Sequence, residues 1–153
     1  MLYPLLALAA LAGAPSQGPD SAARARYAPA LRALDDSIGT LNAAAERFQT
    51  DLPGASPDLV VSRSTRMRER CRGTLHAVTG LDSLAAATSL HHALTSLRAE
   101  LSRCNDDFAP GQWTERADSL RAWAPHRLAR LAEEIQRYRA AKRRFEQETA
   151  PRK

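Results

Sequence analysis

Apolar residues recur through this chain at steps of four and three, and that spacing limits its fold more than any other feature. From about Asp20 to Asp51 the run is Tyr27, Leu31, Leu34, Ile38, Leu41, Ala45, Phe48 and Leu52, without a missed step. Such a run draws one apolar stripe along a helix. A stripe that keeps a seven-residue period belongs to helices packed nearly parallel or antiparallel. A second run, from near Pro57, reads Val60, Ser64, Met67, Cys71, Leu75 and Val78. A third reads Leu90, Leu94, Leu97, Leu101, Cys104 and Phe108. A fourth, within about Thr114 to Thr149, reads Leu120, Ala124, Leu128, Leu131, Ile135, Tyr138 and Phe145. Nowhere does apolar and polar strictly alternate over several residues, so no sheet is expected. Leu and Ala dominate the apolar set and Val and Ile are few, which favours helix further. The expected fold is all-α: an elongated antiparallel bundle of about four helices.

The breaks between runs set the boundaries. Asp20 or Ser21 can cap the first helix, and Pro29 should kink it or mark its true start. Leu52-Pro53-Gly54-Ala55-Ser56-Pro57 ends it. In the second helix Gly73, preceded by Arg70 and Arg72, reads as an early stop; otherwise the helix runs on to Gly80. Before Leu90 the apolar phase changes to Leu81, Leu84 and Ala87, and Thr88 or Ser89 can cap a fresh helix. Asn105-Asp106-Asp107 with Pro110-Gly111 ends the third. In the fourth, the step from Ala124 to Leu128 slips at Pro125, so a kink is expected there. That helix would be about 50 Å long, with polar last turns projecting beyond the bundle.

Leu2 to Ala14 is an apolar run that ends in Ala12-Gly13-Ala14. It is too short to span a bilayer as a helix, which needs about 20 residues, but it matches the core of a secretory signal peptide. Its leading end carries no Lys or Arg, and Pro15 directly follows the small residues. Residues 1–14 are read as a signal peptide, 15–20 as a turn-rich linker, 21–149 as the helical domain and 150–153 as a basic tail. The mature chain is expected to be periplasmic or secreted, with no transmembrane span.

Cys71 and Cys104 both sit on apolar seams. In an oxidising compartment two such cysteines pair more often than not. A simple hairpin turning at Gly80 would leave them 15 residues out of step, roughly 22 Å along the axis, whereas a disulfide needs Cα atoms about 6 Å apart. Pairing therefore requires a reversal near Ala87 or Thr88. With Gly73 as a stop, residues Gly73 to Ala87 become a broken or short-helical connection.

The formal net charge is +5, and nearly all of the basic residues are Arg. Arg63, Arg66, Arg68, Arg70 and Arg72 fall within ten residues, and Arg63, Arg66 and Arg70 share one helical face. A second basic cluster on the last helix includes Arg139 and Arg143. Arginine forks suit phosphate and carboxylate groups, so Arg63, Arg66, Arg70, Arg139 and Arg143 are candidate anion-binding residues. The plainer account is a solvated face neutralised by nearby Glu69, Glu133, Glu134, Glu146 and Glu148.

Other chemistries find little purchase. Adjacent His91 and His92 point about 100° apart on a helix and cannot chelate as an i, i+4 pair does. His76 and His126 are distant, and no Glu-x-x-His occurs. There is no Cys-x-x-Cys-His for c-type haem, and a b-type site would have to use Met67 with His91 or His126. No phosphate-binding glycine loop or nucleophile–base motif is present. Nucleic acid is not expected as a partner, because no aromatic platform interleaves the Arg clusters. The chain reads as a non-catalytic binding or structural module. Its partner would be another protein, docked on the long last helix with Trp113 and Trp123 as anchors, or an anionic lipid or glycan surface. A small-ligand or haem carrier is the third possibility. No cofactor or metal is called for.

Overall fold

A computed structural model describes residues 19–84, 89–109 and 117–150. It holds four α-helices: α1 (Pro19–Asp51), α2 (Pro57–Thr79), α3 (Ser89–Asp107) and α4 (Ala117–Glu148). A short 3₁₀ turn, Leu52–Gly54, follows α1. No strand occurs among the described residues, and no helix of theirs is long and apolar enough to cross a membrane. The signal-peptide and linker readings at 1–18, Trp113 and the last three residues lie outside the described residues.

Neighbouring helices run antiparallel and close into a ring. Asp51 meets Arg63 and Ser37 meets Thr74 across α1 and α2. Cys71 meets Cys104 across α2 and α3, Phe108 meets Trp123 across α3 and α4, and Tyr138 meets Asp35 across α4 and α1. The α1–α4 seam is the thinnest of the four. The buried core is the four apolar runs: Leu31, Leu34, Ile38, Leu41 and Phe48 face Val60, Met67 and Val78, then Leu90 to Phe108, then Leu120 to Phe145.

The α1–α2 turn is built as its residues dictate. Ser56 is extended and its hydroxyl accepts from the Leu59 amide at 3.3 Å, with Pro57 at the first helical position. Arg121 of α4 reaches across to donate to the carbonyls of Leu52 (3.2 Å) and Ala55 (2.6 Å). The Ala55 carbonyl, beyond the turn, is thereby paired, and the Leu52 carbonyl, which already accepts from the Ala55 amide at 3.4 Å, gains a second donor.

Several boundaries differ from expectation. Helix α1 starts at Pro19, so Asp20 and Ser21 fall inside its first turn, and Pro29 lies within the helix rather than at its start. Helix α2 runs through Gly73 to Thr79. A mid-helix glycine costs about 1 kcal/mol, whereas burying a side chain such as Val78 contributes about 1.5–3 kcal/mol, so packing beyond Gly73 wins. The connection is accordingly shorter. Leu81, Asp82 and Leu84 donate back to Val78, Thr79 and Leu81 in tight three-residue closures. Leu81 and Leu84, the phase-shifted pair, are buried by this turn. Helix α3 begins at Ser89, and Thr88 lies outside the described residues.

Two seam positions also shift by one: Ala44 is buried in place of Ala45, and Thr74 in place of Leu75. Thr74 is tolerated in the core because its hydroxyl bonds Ser37 and the Arg70 carbonyl, each at 2.9 Å. Pro125 sits inside a helix that continues past it. The last turns of α4 do not project, since Phe145 and Thr149 are buried.

Candidate functional site

The α1–α2 hairpin brings Arg63, Arg66 and Arg70 to one cleft. They line it from the α2 side, and Thr40, Ala43, Ala44 and Arg47 line it from α1. Positions 40, 43, 44 and 47 share a helical face, as do 63, 66 and 70. The two small residues, Ala43 and Ala44, leave a space of about 200 Å³ between the helices. Arg47 was not singled out from sequence. The signal was available in the turn: Asp51 opposite Arg63 sets a register that carries position 47 to the level of Arg66.

The arginines of this cleft differ in their partners. Arg63 is held by Asp51 at 2.5 Å, and its Nε is buried with no hydrogen-bond partner. Arg47, Arg66 and Arg70 are exposed and have no carboxylate within 4.0 Å among the described residues. Thr40 donates its hydroxyl proton to the Ser37 carbonyl at 2.9 Å, so the donors left for a ligand are the guanidiniums. Glu69 is not among the lining residues, and Glu46, next to Arg47 in sequence, lines the α1–α4 groove instead. The cleft is thus a concentration of positive charge with one acidic side chain at its end.

Arg139 and Arg143 are not part of it. Arg139 lines the α1–α4 groove, a space of about 320 Å³ shared with Glu46, Asn42, Gln49 and Gln136. Arg143 stands exposed on α4. The five candidate residues therefore divide into a cluster of three, completed by Arg47, and two that the fold places elsewhere.

Two further charged groups were missed from sequence. Glu100 on α3 is only 3% exposed, and its carboxylate accepts from Arg127 (2.9 Å) and Arg103 (3.1 Å), with Arg130 at 3.9 Å. Arg127 also pairs with Asp107. At the other end of α4, Lys142 pairs with Asp35 and Glu146, and Tyr138 donates to Asp35 at 3.1 Å. Burial and then the Asp35 charge push the Tyr138 phenol well above its ordinary value. For Lys142 burial opposes the charge, but bonding to Asp35 offsets this and leaves its pKa raised. Both clusters fill steps in the α4 seam where an apolar residue is missing: 127 beside Leu128, and 142 between Tyr138 and Phe145.

Cys71 and Cys104 lie at disulfide distance, Cα atoms 6.0 Å apart, and both are fully buried. His91 and His92 contact each other edge to face at 5.9 Å between ring centres. No group of three or more His, Cys, Asp or Glu that could hold a metal ion occurs among the described residues. Met67 is fully buried and His126 is exposed, so these two do not face a common site. Trp123 packs edge-on against Phe108, which in turn packs on Phe48, so it serves the core. Compared with protein-family models, curated proteins and solved structures, the chain matches none.

Proposed function

We propose that this chain is a non-catalytic binding module that works outside the cytoplasm and docks an anionic group in the α1–α2 cleft. The observation that carries the reading is the unspent charge of Arg47, Arg66 and Arg70 around Ala43 and Ala44. Like charges crowded in one cleft repel, and a bound anion with oxygen acceptors removes that cost. The extracytoplasmic setting rests on the leader-like run at Leu2–Ala14 and on two buried cysteines at disulfide distance. The version in which α4 docks a partner helix has less support. The one large apolar side chain exposed among the described residues is Leu59, on α2.

The test is thermal melting in sulfate or phosphate against chloride at equal ionic strength. Concentrations are kept low enough that general salt stabilisation is negligible. At ten times its dissociation constant an anion stabilises the fold by about 1.4 kcal/mol, a rise of roughly 3–6 °C for a chain of this size. Replacing Arg66 and Arg70 by Ala should abolish the rise. An equal rise in the double variant would sink the reading.

A further inference from the structure

The shape of the arginine cleft narrows the kind of anion it takes. Guanidiniums stand on both walls, with Arg47 on α1 facing Arg63, Arg66 and Arg70 on α2. The α2 row runs from Arg63 to Arg70, about 10 Å of helix. The cleft is about 200 Å³, below the roughly 300–1,000 Å³ of sites that enclose a whole small molecule. Arg47, Arg66 and Arg70 are exposed rather than sealed in. Such a trough takes a short stretch of a longer chain and lets the chain leave at either end.

The side chains around it choose among the long or extended anions. A lipid surface is flat and is best held when apolar side chains dip into it. Among the described residues a single large apolar side chain, Leu59 at 36% exposure, offers that. A nucleic-acid strand calls for aromatic side chains on which bases stack, and no aromatic lines the cleft. An acidic protein segment held firmly needs a pocket for an apolar anchor, whereas Ala43 and Ala44 offer only a shallow floor. A polysaccharide strand with carboxylate or sulfate groups needs none of these. It needs forked donors spaced along a polar trough, which Arg47, Arg66 and Arg70 supply.

We propose that the α1–α2 cleft holds a strand of an acidic polysaccharide, its charged groups taken by Arg47, Arg66 and Arg70. This rests on the anion-docking reading above. The experiment titrates the intact protein with two length series, oligogalacturonates and sulfated heparin oligosaccharides, at fixed ionic strength. Affinity for at least one series should climb about tenfold or more from monosaccharide to tetrasaccharide, as further units engage, and then level off. The Arg66→Ala/Arg70→Ala variant should lose about tenfold for the tetrasaccharide, and Arg143→Ala/Arg144→Ala should stay within about twofold, since distant exposed charges are screened. Equal or tighter binding to phosphatidylglycerol vesicles, to an oligothymidylate of matched charge or to polyglutamate overturns the polysaccharide assignment. If both oligosaccharide series fail while low sulfate still raises the melting temperature of the natural chain and not of the double variant, the polysaccharide falls and anion docking stands. If sulfate has no such effect either, both fall.

Discussion

Arginine does opposite jobs on the two sides of this bundle. Between α3 and α4, Arg103, Arg127 and Arg130 converge on the buried Glu100, and Arg127 also holds Asp107. Between α1 and α2, Arg47, Arg66 and Arg70 line one cleft and have no carboxylate within 4.0 Å among the described residues. The residue type is the same and so is the antiparallel helix pair. What differs is whether the facing helix presents a carboxylate at the same level. Where it does, the charge becomes part of the core. Where it presents Ala43 and Ala44, the guanidiniums keep no carboxylate partner among the described residues.

The largest expected effect tests the spent side. Glu100→Ala takes from Arg127, whose side chain is 17% exposed, its buried partner and leaves it the half-buried Asp107. Breaking a buried ion pair from one side costs about 3–5 kcal/mol, measurable by urea denaturation. A loss below about 1 kcal/mol would mean that the cluster is worth no more than a surface pair and that the two sides hardly differ.

Next comes the tie between the sides. Cys71 and Cys104 close a span of 33 residues from α2 to α3. In the chain-entropy model such a crosslink contributes about 3–4 kcal/mol, so Cys71→Ala/Cys104→Ala should lower stability by that order. Intact mass without reductant should find the mature protein two hydrogens lighter than its thiol form. Two free thiols would refute the pairing.

A smaller effect appears in alkali, at the α1–α4 edge. Tyr138 and Lys142 both have raised folded-state pKa values. The folded state therefore holds protons that the unfolded chain gives up. Their stabilisation is fully present below about pH 10, the unfolded range of both groups, and is lost as pH rises from there toward the folded values. The melting temperature should fall across that range, and Tyr138→Phe should flatten the fall while costing about 1 kcal/mol at neutral pH. An unchanged slope in Tyr138→Phe would remove the phenol from the account.

The smallest effect on stability sharpens the comparison most. Arg66→Ala/Arg70→Ala should change neutral stability by no more than about 0.5 kcal/mol, because exposed unpaired side chains contribute little. A large loss would show these arginines to be structural, like those around Glu100.

Much of the fold was legible because the heptad period is a local property of the chain. The runs Leu31 to Phe48, Leu90 to Phe108 and Leu120 to Phe145 are buried nearly as their spacing predicts. The Cys71–Cys104 pairing was expected from two seam cysteines in an oxidising compartment, and the two lie at disulfide distance; the distance argument placed the reversal near Ala87 or Thr88, which lie outside the described residues. Errors arose where local signals competed with packing. Gly73 looked like a stop, yet Thr74 and Val78 beyond it are buried. The polar end of α4 looked free, yet Phe145 and Thr149 pack. Arg127 and Lys142 were readable as skipped steps in the α4 seam, but Glu100 was not, because it flanks a complete run.

The spacing of apolar residues alone determined that this chain makes four helices, which side of each faces inward, and that Cys71 and Cys104 share the core. One-dimensional period sets those, since a helix must bury its stripe. Tertiary structure alone decided which arginines are neutralised. That depends on the level at which two helices pass each other, and a one-turn offset of about 5 Å separates a salt bridge from an empty cleft. Arg63 pairs with Asp51, and Arg66 and Arg70 share a cleft with Arg47.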